Sequence, residues 1–426
     1  MYLQYLPFIL AFALLLAINL RVTKSNLSPA VLLAGVWLIS LVGLFLAGDT
    51  FFEVSLKALS IYLVGALFFS IGAILGQSAN GLHSVPGRAT RRQHPSYGAF
   101  HNHFLDGVLT ILLVGLPFYW RYIQNQFGVS GGDLILAQIR MQAVQLSGKA
   151  QSFNILNNFP VIASLAVAAM YYDNDGTPSR RWKYYLAFAL AAIYGSLEGS
   201  KKTIVVLLLT VFFIGAIREH KVRWFKIMAV LLTGIGVFSA GLVFVNFAYM
   251  RTPLNGDTLR NILAVEEEYW LGSLIAFNQI ATDPSSMEST QRVDKFFLET
   301  ADSLGANFYV PSQHALYTDI STSQDTNTYT IYFTYYKDYG WLGTAAFMLF
   351  IGFVTEKIYR MAKSGDALAV LMYALVATAV LFSIEYEGFL TGLNGYIKAL
   401  LFFSFVYKGL PLLERKRVRV KRVGYA

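Results

Sequence analysis

Three groups of residues have types and spacing suited to chemistry. Asp173-Asn174-Asp175 spells the DxD pattern that binds a metal and a nucleotide sugar in one class of glycosyltransferase. It lies in a short turn with no alternating strands and helices around it, so the sequence reads it as a polar turn. The second group opens a long polar block, roughly Asn246 to Lys337, where Phe247-Ala248-Tyr249-Met250-Arg251-Thr252-Pro253 puts a cation just past an apolar stretch. A cation there meets lipid headgroups or an anionic ligand. The acidic run Glu266, Glu267 and Glu268 follows. The third group closes the block, running from Thr326 through Tyr329, Tyr332, Phe333, Tyr336 and Asp338 to Gly343. In a helix Tyr329, Tyr332, Phe333 and Tyr336 would share one face, an arrangement that also suits an aromatic belt at a membrane interface.

The elements that hold these groups are long and apolar. Stretches at 3–20, 29–47, 54–76, 104–120, 155–172, 184–199, 203–218, 227–247, 339–358, 367–384 and 393–411 are close to the length a helix needs to cross hydrocarbon. Hydrophobic residues make up 55% of the chain and charged residues 14%, which places it with polytopic helical membrane proteins. The expected fold is all-α with about eleven spans and one large extracytoplasmic loop. It divides into an N-terminal bundle (1–247), the loop (248–338), and a C-terminal bundle with a basic tail (339–426). The first apolar stretch lacks a basic leader and a small-residue cleavage site, so it reads as a retained span. Absent cysteine excludes a thiolate nucleophile and a cysteine metal site. No phosphate-cradling glycine loop, HExxH helix or GxSxG elbow appears.

Basic residues set the expected orientation. Most of the 34 lysines and arginines fall in one set of connections: Arg21 and Lys24; Arg88, Arg91 and Arg92; Arg180, Arg181 and Lys183; Arg218 to Lys226; Lys357 to Lys363; and the tail from Lys408. These are expected in the cytoplasm, and the net charge of +9 largely reports topology rather than nucleic-acid binding. The opposite side carries residues 121–154, the turn near Glu198 to Lys202, and the long loop. With no nucleotide sugar available there, chemistry on that side draws on an activated lipid-linked group or an ion gradient.

Residues 326–343 resemble the closing motif of bacterial oligosaccharide repeat-unit polymerases, the Wzy-type O-antigen and capsule polymerases. Gly199-Ser200-Lys201-Lys202-Thr203 is similar to a glycine-serine-arginine step in such enzymes, with Lys201 in place of the arginine. Lysine offers a point charge rather than a bidentate fork. The resemblance implies a fold like that of multispan lipid-linked glycosyltransferases (GT-C-like) in the bacterial inner membrane. It implies transfer of a growing glycan from undecaprenyl pyrophosphate to a new lipid-linked repeat unit, with no cofactor and no metal. Expected partners are that lipid-linked oligosaccharide, membrane lipids, and a chain-length regulator and flippase of the same pathway.

Under this resemblance Arg251, Lys201, Lys202 and Arg140 are the expected pyrophosphate cations. His314, Glu267 and Asp338 are the candidate bases, His314 being the sole histidine expected outside the cytoplasm. Tyr329, Tyr332 and Tyr336 are expected to meet glycan. An O-antigen ligase uses the same donor and stays open as an alternative. A flippase for the same intermediates is a third, although the expected internal symmetry of halves is not apparent.

Overall fold

A computed structural model describes residues 2–78, 99–127, 155–174, 177–197, 201–219, 233, 236, 256–283, 293–306 and 317–414. The described helices are α1 (Tyr5–Thr23), α2 (Pro29–Ala47), α3 (Leu56–Ser78), α4 (Ala99–Phe127), α5 (Phe159–Asp173), α6 (Pro178–Leu197), α7 (Lys201–Glu219), α8 (Gly256–Thr282), α9 (Lys295–Ser303), α10 (Tyr332–Lys363), α11 (Ala367–Leu381) and α12 (Leu393–Ser404). A small antiparallel hairpin pairs β1 (Thr318–Asp319) with β2 (Asp325–Thr326), Asp319 opposite Asp325.

Eight helical segments among the described residues are long and apolar enough to cross a membrane, which makes this a multi-pass, all-α membrane protein. They correspond to eight of the eleven expected stretches. Residues 227–247 lie largely outside the described residues. The stretches at 184–199 and 203–218 are helical, as α6 and α7, and are not among these eight. Both carry charge at their ends: α6 begins with Arg180, Arg181 and Lys183, and α7 has Lys201, Lys202, Arg218 and Glu219 at its two ends.

The chain folds as two compact units that interleave along the sequence. One comprises Met1–Pro86, Leu254–Met361 and Leu375–Asn394; the other Gly87–Pro253, Ala362–Ala374 and Gly395–Ala426. The described part of the polar block belongs to the first unit, because the second half of α8 is apolar. Leu271, Leu274, Ile275, Ala276, Phe277 and Ile280 are buried, and α8 packs on α2 and α3.

In the first unit, α3 and α10 cross with their backbones in close approach. A Cβ on Gly72 would lie 2.0 Å from the Leu349 carbonyl oxygen, and one on Gly352 would lie 2.1 Å from that of Phe69. Small residues at these points permit the close van der Waals packing that holds helices together in lipid. Around the crossing lie Trp37, Tyr62, Phe277 and Tyr332, all fully buried.

The second unit is built from α4, α5, α6, α7 and α12. Tyr194 of α6 donates to the Leu112 carbonyl of α4 at 2.7 Å. Phe104 meets Phe402 and Phe405, and the Tyr407 hydroxyl donates to the Ala169 carbonyl at 3.2 Å.

Candidate functional site

Hydrogen bonds sort the helix ends of the first unit into two groups. In one, Gln4 donates to the Val54 carbonyl at 2.9 Å, the Val54 amide to the Tyr5 hydroxyl at 3.0 Å, the Ser55 amide to Asn278 at 2.9 Å, and the Phe52 amide to the Ile320 carbonyl at 2.8 Å. In the other, Ser28 donates to Glu356 at 2.9 Å, the Arg360 guanidinium to the same carboxylate at 2.7 Å, and Ser25 shares a hydrogen bond with Tyr359. Within this unit Arg21, Lys24, Lys357 and Arg360 lie in or beside the elements of the second group, and the described polar block meets the first.

The polar block presents a carboxylate cluster at the hairpin. A Cβ on Gly272 of α8 would lie 2.9 Å from Ile320 and 3.5 Å from Thr326, so this stretch of the helix abuts the two strands. Glu268 lies four residues earlier, on the same helix face. Burial raises its carboxyl pKa above the ordinary range, and the nearby charge of Asp325 raises it further. A half-buried carboxylate beside another carboxylate holds its proton more tightly and, once ionised, accepts one more readily. Glu267, the neighbour singled out by sequence, is itself half-exposed.

Asp325 leads directly into the closing motif. Asp338 is half-exposed and accepts a hydrogen bond from the Val293 amide at 3.0 Å, which ties the motif to the segment preceding α9. Two residues further on, Lys295 is buried and 3.6 Å from Glu299. Burial lowers its pKa, against the opposing pull of Glu299. Lys57 lies 5.9 Å over the Tyr336 ring and Lys337 5.4 Å over that of Phe333.

The three tyrosines expected to face glycan are core residues in this structure. Helix α10 begins at Tyr332, so Tyr329 precedes it instead of sharing its face. The Tyr332 ring contacts Trp37 at 4.8 Å and Tyr62 at 5.7 Å between centroids, and a Cβ on Gly65 would lie 2.1 Å from it. Tyr336 meets Phe277 and Trp341 edge-on. Tyr329 packs on Phe333 at 4.3 Å and hydrogen-bonds Thr318, and burial pushes its hydroxyl pKa up to about 12. Their apolar rings are used to bury α10 against α2, α3 and α8, a demand that outweighs solvent exposure.

Glu387 belongs to the same region and is buried. Its carboxylate accepts from the Tyr335 hydroxyl at 2.6 Å and from the amides of Phe389 at 2.7 Å, Leu390 at 2.9 Å and Thr391 at 2.6 Å. The acid anchors backbone instead of meeting solvent. Thr330, Tyr332 and Thr334, by contrast, are fully buried with hydroxyls that meet no hydrogen-bond partner among the described residues.

Lys201 and Lys202 open α7. Arg251, Arg140 and His314 lie outside the described residues. Asp173 of the DxD turn is buried in the second unit, 2.7 Å from His101 Nε2 and 3.2 Å from the Tyr407 hydroxyl. Asp173 is the last residue of α5, and Asp175 lies outside the described residues. Among the described residues no three acidic or histidine side chains converge as a metal cage. No protein-family model, curated protein or solved structure matches the chain.

Proposed function

We propose that this chain polymerises lipid-linked oligosaccharide repeat units outside the cytoplasm, transferring the growing glycan from undecaprenyl pyrophosphate to the acceptor sugar of a new lipid-linked unit. One observation carries the reading. Glu268, with its raised proton affinity, lies beside Asp325 on the hairpin that runs into the motif resembling polymerases. Glu268 takes the proton of the acceptor hydroxyl as that oxygen attacks the anomeric carbon. The bond from that carbon to the pyrophosphate oxygen breaks, and the departing pyrophosphate is stabilised by a protein cation, for which Lys57 is the candidate in the same unit. Asp338 holds the segment before α9 against the motif.

The test is turnover of purified protein on lipid-linked repeat units, read as a ladder of product lengths. Glu268→Gln is expected to lower kcat/KM by about a hundredfold or more, the typical scale for loss of a general base. Because its pKa is raised, the wild-type rate should begin to fall at a pH above the ordinary carboxylate range, and Glu268→Gln should lose that acid limb. The stability effect has the opposite sign. A carboxyl whose folded pKa exceeds its unfolded one stabilises most below the unfolded value, and that contribution is lost as pH rises through the folded value. Acid inactivation through Glu268 is therefore separable from unfolding. Wild-type turnover with an unchanged pH profile in Glu268→Gln would remove it from the reaction. Absence of any ladder from the wild-type protein, with donor consumed by attachment to another acceptor, would favour the ligase.

A further inference from the structure

The second unit contains a cavity of about 240 Å³ lined by Asn102, Leu105, Asp106, Met170, Asp173, Arg180 and Lys183. Its walls come from α4, α5 and α6 at the helix ends that carry Arg180, Arg181 and Lys183. The volume is below the range of roughly 300–1,000 Å³ that houses drug-sized ligands, so it suits a headgroup and not an oligosaccharide. The lining holds charges of both signs. Lys183 Nζ is 2.6 and 2.7 Å from the two Asp106 oxygens, and both side chains are partly exposed, at 30% and 39%. Arg180 reaches the Asp173 carbonyl at 3.4 Å, and the Asp173 carboxylate is held by His101 and Tyr407. Leu105 and Met170 supply an apolar wall.

A purely anionic ligand would meet Asp106, and a purely cationic one Arg180 and Lys183. A ligand with a phosphate and a primary ammonium satisfies both. On the same helix Trp182 and Tyr185 are 55% and 65% exposed, as aromatic side chains at a membrane interface are. We infer that this cavity binds a zwitterionic phosphoethanolamine group, its phosphate against Arg180, Lys183 and Asn102 and its ammonium against Asp106. The group is the headgroup of a phospholipid or a free phosphoethanolamine. Neither source is involved in the proposed glycosyl transfer.

The experiment uses the full chain, stripped of lipid in detergent and returned to bilayer discs of phosphatidylcholine containing phosphatidylethanolamine or phosphatidylglycerol. Retained lipid is counted by native mass spectrometry. Phosphatidylethanolamine should be kept over both others, because a quaternary choline donates no hydrogen bond and glycerol has no charge for Asp106. Arg180→Gln and Lys183→Gln should each lower this retention by about tenfold, the scale for losing one charge-assisted contact. Arg180→Lys keeps net charge and tests the fork separately, with a smaller loss expected. Free phosphoethanolamine raising the unfolding temperature of the stripped protein would assign recognition to the soluble group; protection by the lipid alone would assign it to the membrane. Equal retention of the three lipids, together with no thermal effect of free phosphoethanolamine, would overturn the inference even if the variants failed to fold.

Discussion

The aromatic end of the first unit and the charged end of the second manage buried polarity in opposite ways. In the first, Glu387 has four donors, three of them backbone amides, whereas Thr330, Tyr332 and Thr334 keep buried hydroxyls without partners, counted among the described residues. In the second, His101, Asp173 and Tyr407 pair side chain to side chain between helices, and Lys183 and Asp106 do the same nearer solvent. The first end is therefore held by ring packing and close glycine contacts, and its hydroxyls are secondary. The second depends on specific pairs, and of these the His101–Asp173 pair is the buried one.

The strongest way to break this contrast is His101→Leu. It removes the His101 ring from the buried Asp173 carboxylate, and a loss of about 3–5 kcal/mol is expected. Thermal unfolding in detergent with Asp173→Asn as the second arm of a double-mutant cycle reads the coupling. Additive effects of the two changes would deny it.

Gly352→Ala should cost about 1–3 kcal/mol or prevent folding, since the added methyl meets the Phe69 backbone and neither helix can yield locally. Gly107→Ala has open space at its Cβ and serves as the control. Similar unfolding temperatures for the two variants would show the α3–α10 crossing to be looser than described.

The smallest effect sharpens the comparison by its sign. Thr334→Val replaces a buried hydroxyl that has no partner among the described residues with a methyl, so stability should hold or rise by about 1 kcal/mol. A comparable loss would reveal a hydrogen bond made by that hydroxyl and bring the first unit closer in kind to the second.

The span positions were legible in the sequence because apolar length is a local property, and eight reappear as long apolar helices. The aromatic closing segment was legible as a unit, but its ring directions were not. Whether Tyr332 faces glycan or core depends on Gly65 and Trp37, hundreds of residues earlier in the chain. The same holds for Asp173. Its DxD setting is visible locally, whereas His101 and Tyr407 reach it from 72 residues before and 234 after. Within Glu266 to Glu268 the sequence offers three equivalent acids. The hairpin around Asp325 separates them, and a pair of two-residue strands leaves no detectable period. The periodicity that marks Gly272 and Glu268 as one face was available, but nothing in it named the partner.

Gly340 interrupts α10 with φ 61° and ψ −150°, a conformation open to glycine but strained for other residues. The interruption divides the element into a short aromatic turn fixed to Glu387 and Val293 and a longer apolar rod beyond it. A rod in lipid adjusts its tilt to bilayer thickness. A continuous helix would transmit that tilt to Tyr335 and Asp338. The break at Gly340 replaces that continuous ladder with ring contacts, Tyr335 stacking on Phe347 at 4.9 Å and Tyr336 meeting Trp341 edge-on, so the aromatic turn is held to the rod by side chains.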